Sequence, residues 1–156
     1  MRTSSFVQPE STEEEKEEVG EAKEYGIIAV AAGEGIKQLF TEYRTDYVVS
    51  GGQTMNPSTE DIASAIAKVN AKHVFVLPNN SNIIMAANQA ATVTEDKDVI
   101  VLPTKSVPQG LSACINFNPE DDVDTNKEAM EEAIDHLEDA ISSIDEAKDH
   151  IDRAIA

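Results

Sequence analysis

Residues 25–49 read YGIIAVAAGEGIKQLFTEYRTDYVV, and this segment sets the architecture of the chain. It begins with a continuous apolar run, residues 27–31, and ends with a second one, residues 47–49. The apolar side chains between these runs recur with the period of an α-helix: Ile36, Leu39, Phe40 and Tyr43. Continuous apolar runs are typical of strands that are buried on both faces, as in a parallel sheet. The segment therefore predicts one β-α-β unit.

The same alternation of strand and helix patterns continues to about residue 118. Two further apolar runs, residues 74–77 and 99–102, are each followed by a proline, which ends a strand because it cannot donate to the ladder. Ile62, Ile66 and Val69 again have helical spacing. Strands that alternate with helices form β-α-β units in one sheet. We therefore predict an α/β fold with a doubly wound, mainly parallel sheet of about four strands.

Helix starts are marked by polar side chains that follow the strands. Ser58 followed by Asp61, and Ser106 followed by Gln109, each have the spacing of a capping box. A third helix is expected to begin near Asn80 or Ser81.

Composition divides the chain into three parts. Residues 1–24 are rich in Glu and carry too little apolar surface to offset the entropy of ordering, which predicts an acidic disordered tail or a linker. Residues 25–119 form the predicted α/β domain, and residues 124–156 form one long C-terminal helix.

The C-terminal helix carries a heptad pattern. Two series recur every seven residues: Met130, Leu137, Ile144 and Ile151, and Ile134, Ile141, Lys148 and Ile155. Only Lys148 interrupts the resulting apolar seam, which must be buried against another surface. That surface is either the sheet of the same chain or a helix of a second copy. We favour self-association, which would form a homo-oligomer, by a small margin.

The charge of the chain excludes several functions. A net charge of −18 and a pI near 4.3 argue against nucleic acid and anionic membranes as partners, because both attract clustered Lys and Arg. No apolar run approaches the roughly 20 residues that span a membrane. The first 24 residues lack the apolar core of a secretory signal, and the single cysteine, Cys114, cannot form an internal disulfide. We therefore expect a cytoplasmic protein.

Small polar loops follow all the predicted strands. In open α/β sheets the carboxyl ends of the strands border the ligand crevice, and helix N-termini there offer free N–H groups. The candidate binding residues on this edge are Glu34, Gly51, Gly52, Gln53, Thr54, Asn56, Ser58, Asn79, Asn80, Asn82, Thr104 and Gln109. At any single loop, the alternative that these residues serve only turns and caps is equally open.

No pattern for a particular chemistry accompanies these loops. The Gly33-Glu34-Gly35 turn lacks the third glycine of a dinucleotide site, and the chain has no phosphate-binding loop. Cys114 falls within a helix pattern and is interpreted as a small core residue. His73 is expected to be structural, and the histidines at 136 and 150 to be solvated. We therefore expect no catalytic residue, cofactor or metal site, although Glu34 remains a candidate functional carboxylate.

Five segments carry a resemblance to a known family: residues 26–35, 50–61, 77–83, 103–110 and 117–120. They resemble part of the carboxyl-terminal, DegV-like domain of the ATP-binding subunit of bacterial fatty acid kinase, a relative of dihydroxyacetone kinases. The resemblance implies a kinase system that phosphorylates the carboxylate of a fatty acid presented by a separate DegV-like fatty-acid-binding protein. Nothing in the chain looks like the nucleotide domain of that family. We therefore expect a non-catalytic domain that docks this partner and takes part in lipid metabolism.

The resemblance also bears on lipid binding by the chain itself. Residues 54–58 are similar to the Thr-Ser-Gln-Pro-Ser loop that grips the lipid carboxylate in the lipid-binding relatives, but Met55 and Asn56 depart from it. Beyond about Leu137 the match fades. Binding of a small anion or a lipid carboxylate is therefore the second hypothesis, and an oligomerisation module is the third.

Overall fold

Four parallel strands form a single sheet in the computed structural model, which describes residues 21–52 and 55–155. They are β1 (Lys23–Ala31), β2 (Tyr47–Ser50), β3 (Ala71–Leu77) and β4 (Asp98–Val101). Their order across the sheet is β2-β1-β3-β4, with Ile28 of β1 paired to Tyr47 of β2 and to Val76 of β3. The predicted doubly wound α/β fold is confirmed.

Helices connect the strands and follow them. They are α1 (Glu34–Glu42), α2 (Thr59–Lys68), α3 (Ser81–Val93), α4 (Val107–Ile115) and α5 (Val123–Ile155). The capping box at the start of α2 is confirmed, because Ser58 accepts from the Asp61 N–H and Asp61 accepts from the Ser58 N–H, each at 3.0 Å. At α4 only half of the predicted box forms. Ser106 accepts from the Gln109 N–H, while the Gln109 carboxamide is used elsewhere.

Each face of the sheet is covered by helices, because the strands are apolar on both sides. One core layer packs the sheet against α2 and α3 and includes Ile28, Val30, Val74, Val76, Ile62, Ile66 and Ile83. The other packs the sheet against α1, α4 and α5 and includes Ile27, Ala29, Phe75, Leu77, Phe40, Cys114, Met130 and Ile134. The prediction that Cys114 is a small core residue is confirmed.

The start of α5 is fixed at the amino-terminal edge of the sheet. Tyr25 of β1 donates its hydroxyl to the Asp121 carbonyl at 2.6 Å. The buried Asn126 carboxamide accepts from the Asn118 N–H at 2.7 Å and donates to the Asn118 carbonyl at 2.8 Å. From there α5 runs antiparallel to α4 toward the carboxyl edge, because Glu138 contacts Lys105 in the loop before α4.

The predicted segment limits differ from the structure at the amino-terminal end of β1. The predicted disordered tail falls mainly on residues 1–20, which lie outside the described residues. Lys23 and Glu24, at its end, belong to β1, where Lys23 extends the ladder with β3 and forms an ion pair with Asp46. The long C-terminal helix begins at Val123.

Candidate functional site

A cleft of about 600 Å³ opens at the carboxyl edge of the sheet, between the loops that follow β1 and β3. These two central strands are adjacent, but the chain leaves β1 for β2 on one side and β3 for β4 on the other. The loops therefore diverge and leave a crevice, which is where doubly wound sheets bind their ligands. Residues after all four strands line it, among them Ala32, Gly51, Gly52, Pro78, Asn80, Lys105 and Ser106.

Asn79 holds the floor of this crevice together. Its backbone has φ 60°, a left-handed conformation that Asn tolerates better than most residues. Its side chain Nδ2 donates to the Val30 carbonyl at 2.9 Å, and its backbone N–H donates to Thr104 Oγ1 at 2.9 Å. Asn79 and Thr104 are both buried, so these bonds join the ends of β1 and β3 and the loop after β4. The two side chains position the crevice loops from beneath.

Gly110 of α4 packs directly against the Asn79 side chain. A Cβ at position 110 would lie 2.2 Å from Asn79 Oδ1 and 2.8 Å from its Cγ, far inside van der Waals contact. The same Oδ1 is buried and accepts no hydrogen bond from the residues that the structure describes. Only glycine therefore lets α4 approach the Asn79 loop this closely.

Two helices begin at the crevice with polar caps. Asn80 Oδ1 accepts from the Asn82 N–H at 2.9 Å at the start of α3, and Ser106 Oγ accepts from the Gln109 N–H at 3.3 Å at the start of α4. The N–H groups of a first helical turn that lack intrahelical partners carry partial positive charge. The Asn82 side chain itself is exposed. This part of the crevice is therefore suited to carboxylate or carbonyl oxygens.

A small network ties the crevice to the long helix. Gln109 is buried, and its Oε1 accepts from the Lys105 N–H at 2.7 Å. Its Nε2 donates to Glu138 Oε2 of α5 at 3.4 Å, and the same carboxylate oxygen lies 3.5 Å from Lys105 Nζ. The position of the β4–α4 loop is therefore coupled to α5.

The loop after β2 forms the second wall of the crevice. Gly51 donates to the Ala31 carbonyl at 3.1 Å, and a Cβ at Gly51 would meet Pro57 Cδ at 2.6 Å. Gly52 donates to the Met55 carbonyl at 2.8 Å, which closes the loop as a narrow bridge. The predicted site residues Gln53 and Thr54 lie outside the described residues. Asn56 is exposed, while Ser58 serves as the N-cap of α2.

Glu34, the candidate functional carboxylate, lies in the first turn of α1 with 94% of its side chain exposed. Its only described ionic partner is Lys37, at 3.6 Å. Glu34 is absent from the residues that line the crevice. Of the predicted site residues, the structure thus brings together Gly51, Gly52, Asn79 and Asn80.

The remaining chemically active side chains lie away from the crevice. Cys114 Sγ is 3.8 Å from Thr45 Oγ1, and burial raises the pKa of its thiol. His73 lies near the amino-terminal end of β3, with Nδ1 2.9 Å from Asp98 and Nε2 3.4 Å from Glu24. It ties β1, β3 and β4 together at that edge, which agrees with the structural role expected for it.

The histidines of the long helix are in contact with solvent. The predicted solvation of the histidines at 136 and 150 is confirmed, because both side chains are exposed on α5. Within the part of the chain that the structure describes, no group of three or more His, Cys, Asp and Glu side chains is placed to hold a metal ion. Among the same residues, no helix combines the length and apolar composition that a membrane span needs.

Two residues of the crevice were missed by sequence reasoning. Lys105 is the cation among the described lining residues, and its signal was a lone positive charge after a strand in a strongly acidic chain. Gly110 left no local signal, because its role depends on Asn79, which is 31 positions earlier in the numbering. Contacts of this kind appear only when the loops are assembled.

Comparison with protein families gives a match over most of the chain. The family of C-terminal domains of FakA-like fatty acid kinase subunits matches residues 26–150. This range contains β3, β4 and the whole crevice. It extends to residue 150 within α5, so the prediction that the resemblance fades beyond about Leu137 is wrong.

Relatives occur in Bacillus and Staphylococcus species. The chain is 48% identical to protein YloV of Bacillus subtilis over 148 residues, which is 95% of this chain and 27% of YloV. It is 45% identical to an uncharacterized protein of Staphylococcus saprophyticus over 115 residues, covering 74% of this chain and 21% of that protein. An uncharacterized protein of Staphylococcus aureus strain USA300 is 42% identical over 117 residues, covering 75% and 21% of the two chains. The chain thus spans about a quarter of the length of the relatives that it matches.

Proposed function

This chain belongs to the family of FakA-like C-terminal domains of fatty acid kinase, and from that premise we propose that it is a non-catalytic docking domain of a fatty acid kinase system. Its partner is a DegV-like fatty-acid-binding protein, which meets the crevice edge of the sheet. The proposal assigns the residues that precede β1 to an acidic linker, the segment from β1 to residue 119 to the docking domain and α5 to a helix that extends from it. The system acts in the cytoplasm, where a lone thiol such as Cys114 stays reduced.

The observation that carries this proposal is the internally braced crevice edge. Asn79 and Thr104 are buried and bonded across three loops, so the surface above them is held in one arrangement before any partner arrives. A preorganised surface binds with a smaller loss of conformational entropy. The partly exposed Asn80 presents its amide group at the crevice, and the exposed Asn56 presents a second amide in the loop between β2 and α2.

The contribution of such a domain to the reaction is positioning. Phosphoryl transfer requires the fatty acid carboxylate to meet a nucleotide bound on another domain in a productive orientation. Holding the two reactants together supplies rate enhancement through proximity, without a catalytic group on the docking domain. The polar loops that border the crevice support this role, because they offer hydrogen-bonding groups to the surface of a partner.

The test is calorimetric titration of this chain with a purified DegV-like fatty-acid-binding protein, with and without bound fatty acid. The crevice variant, Asn56→Ala, Asn80→Ser, removes the amide of a crevice-lining residue at position 80 and the amide of an exposed loop residue at position 56. Serine at position 80 retains an acceptor for the Asn82 N–H. We expect this variant to bind at least about tenfold more weakly, as is typical when two central polar contacts are lost. The control is Asn88→Ala, an exposed amide within α3 and outside the loops that follow the strands.

The outcomes separate clearly. Wild-type binding that survives in Asn88→Ala and weakens in the crevice variant supports docking at this edge. Equal binding by all three proteins places the contact elsewhere, and no binding by the wild type rejects the docking function. A melting temperature shared by the three proteins confirms that their folds are intact.

A small anionic ligand is the second candidate function, and Lys105 is the observation that favours it. This cation lines the crevice beside the N-cap of α4, although Glu138 lies 3.5 Å from its Nζ and offsets part of its charge. The probes are inorganic phosphate and octanoate, a short fatty acid. A rise in melting temperature with either probe that is absent in Lys105→Ala would support this function. An unchanged melting temperature at millimolar concentrations of both probes would reject it.

A further inference from the structure

The distal half of α5 carries an apolar surface with no cover among the described residues. After Leu137, which is half-buried, all side chains from residue 138 to residue 155 are exposed. Four of them are isoleucines: Ile141, Ile144, Ile151 and Ile155, with exposed fractions of 42%, 65%, 61% and 76%. We call these four residues the distal stripe. An aligned apolar surface of this kind marks an interaction site in a protein that is otherwise strongly charged.

The distal stripe continues the seam that buries the first half of the helix. Met130 and Ile134 are fully buried against α4 and the sheet, and the seam positions, at alternating spacings of four and three residues, continue to Ile155. Lys148 occupies one seam position. About 15 residues beyond Ala140 correspond to about 22 Å of helix. This length is enough for a partner to contact several turns at once.

The borders of the distal stripe differ from each other. Asp145 and Asp152 follow Ile144 and Ile151 directly and lie along one side of the stripe. Ala147 and Ala154 lie along the other side and leave room for close approach. A partner that complements this surface would therefore carry an apolar groove. One rim of the groove, facing the aspartates, would carry Lys or Arg, and the other rim, facing the alanines, would be flat.

A second copy of the chain fits this surface poorly. Parallel pairing of two stripes would place Lys148 against Lys148, and antiparallel pairing would set the two aspartate borders against each other. Each copy also carries a net charge of −18, which opposes association. Charge complementarity therefore favours a different protein with a basic rim.

The distal stripe extends from the same edge of the sheet as the crevice. Glu138, just before it, contacts Lys105 and Gln109 of the crevice network. The helix continues past this edge, because every side chain from residue 139 to residue 155 is exposed. A single partner seated on the crevice edge can therefore reach the stripe. The family match, which runs to residue 150, includes the first two stripe isoleucines.

We propose that the distal stripe inserts into an apolar, basic-rimmed groove of the same partner that contacts the crevice edge. The proposal rests on the docking function proposed above and adds a second contact surface and the chemistry of its counterpart. The mode is a helix in a groove, in which side chains at spacings of three, four and seven residues act as anchors.

The experiment compares two double variants of the full chain in the same titration with the DegV-like fatty-acid-binding protein. Ile144→Ser, Ile151→Ser removes two anchors from the distal stripe. Val93→Ser, Ile115→Ser replaces β-branched apolar side chains by serine in the same way at two exposed positions at the ends of α3 and α4, both 63% exposed. We expect the stripe variant to bind at least about tenfold more weakly and the control to bind within about twofold of wild type. Wild-type binding should also weaken as salt concentration rises.

Each outcome has one meaning. If the crevice variant loses binding while the stripe variant retains it, the inference about the stripe is wrong and the docking function stands. If both serine variants lose binding equally, the stripe is not a specific contact and the inference is wrong. If the wild type does not bind at all, the docking function and the inference fail together. If light scattering shows a wild-type dimer that the stripe variant converts to a monomer, the occupant is a second copy, and the inference is overturned.

Discussion

The two halves of α5 share one sequence pattern but have opposite environments. In the first half, Met130 and Ile134 are 0% and 3% exposed and fill the core beside α4. In the distal half, Ile144 and Ile151 are 65% and 61% exposed. The heptad spacing is the same in both. Hydrophobic periodicity therefore identifies the face of a helix that seeks burial, and it does not identify the surface that buries it.

This difference also separates two functions of apolar residues. A buried side chain of this size stabilises the folded chain by roughly 1.5–3 kcal/mol through removal from water. An exposed isoleucine contributes little to the free energy of unfolding, because its apolar area stays in contact with water. The helix thus combines a core element and an exposed apolar surface in one continuous structure.

The largest effect is expected from truncating the buried half. Met130→Ala should lower the free energy of unfolding by about 2–5 kcal/mol, because it removes a fully buried side chain and leaves a cavity. Ile144→Ala should change it by less than about 0.5 kcal/mol. Urea denaturation followed by circular dichroism measures both values. Similar losses in the two variants would show that the distal half is also buried in solution, which would remove the contrast between the halves.

The next effect concerns two helical glycines. Gly110→Ala should lower the free energy of unfolding by about 1–3 kcal/mol, because the new Cβ overlaps Asn79. Gly35→Ala should raise it by up to about 1 kcal/mol, because position 35 lies in α1 with no atom near the added Cβ and alanine favours the helix. Denaturation midpoints provide the comparison. A neutral Gly110→Ala would mean that the Asn79 loop gives way easily and that the crevice floor is not rigid.

A smaller effect is expected at the two Ser-capped helices. Ser58→Ala should cost about 1 kcal/mol, because Ser58 and Asp61 satisfy each other's backbone N–H groups. Ser106→Ala should cost less, since its hydrogen bond is longer, at 3.3 Å, and Gln109 does not reciprocate. Thermal melting of the two variants checks the order. A larger loss at Ser106 would indicate that the crevice loop depends on this cap more than its geometry suggests.

The smallest effect is the pH dependence contributed by Cys114. Burial raises the pKa of its thiol above the ordinary value of 9.0, so the unfolded chain releases this proton at a lower pH than the folded chain. The stability that this group contributes is complete below the pKa of the thiol in the unfolded chain. It is lost as pH rises from there through the raised pKa of the folded chain, by at most about 1.4 kcal/mol per pH unit. Comparing the unfolding free energies of wild type and Cys114→Ala near about pH 8 and about pH 10 isolates the effect, because the other groups titrate in both proteins. Parallel curves would show that the thiol is not protected by burial.

Much of the fold followed from local patterns. The apolar runs at residues 27–31 and 74–77 predicted β1 and β3, since a strand covered on both faces needs apolar side chains at successive positions. Ser58 and Asp61 predicted the start of α2 because a capping box involves only residues three apart. These signals are short-range, and the sequence carries them directly.

The candidate site was predicted less completely. The position of the polar loops at one edge followed from the parallel strands, and Gly51 and Asn80 line the same crevice there. The sequence did not predict which loop residues are exposed and which are buried. Asn79, Thr104 and Gln109 are polar and resemble ligand-binding residues in the sequence, yet all three side chains are buried and bonded within the chain.

The amino-acid sequence alone thus determined the alternation of strands and helices, the family and the apolar face of the long helix, because these depend on composition and spacing along the chain. Tertiary structure decided the contact between Gly110 and Asn79, the coupling of Glu138 to the crevice and the point at which the cover of α5 ends. Each of these depends on distances between segments that are remote in the chain. Such distances are set only when both faces of the sheet have been packed.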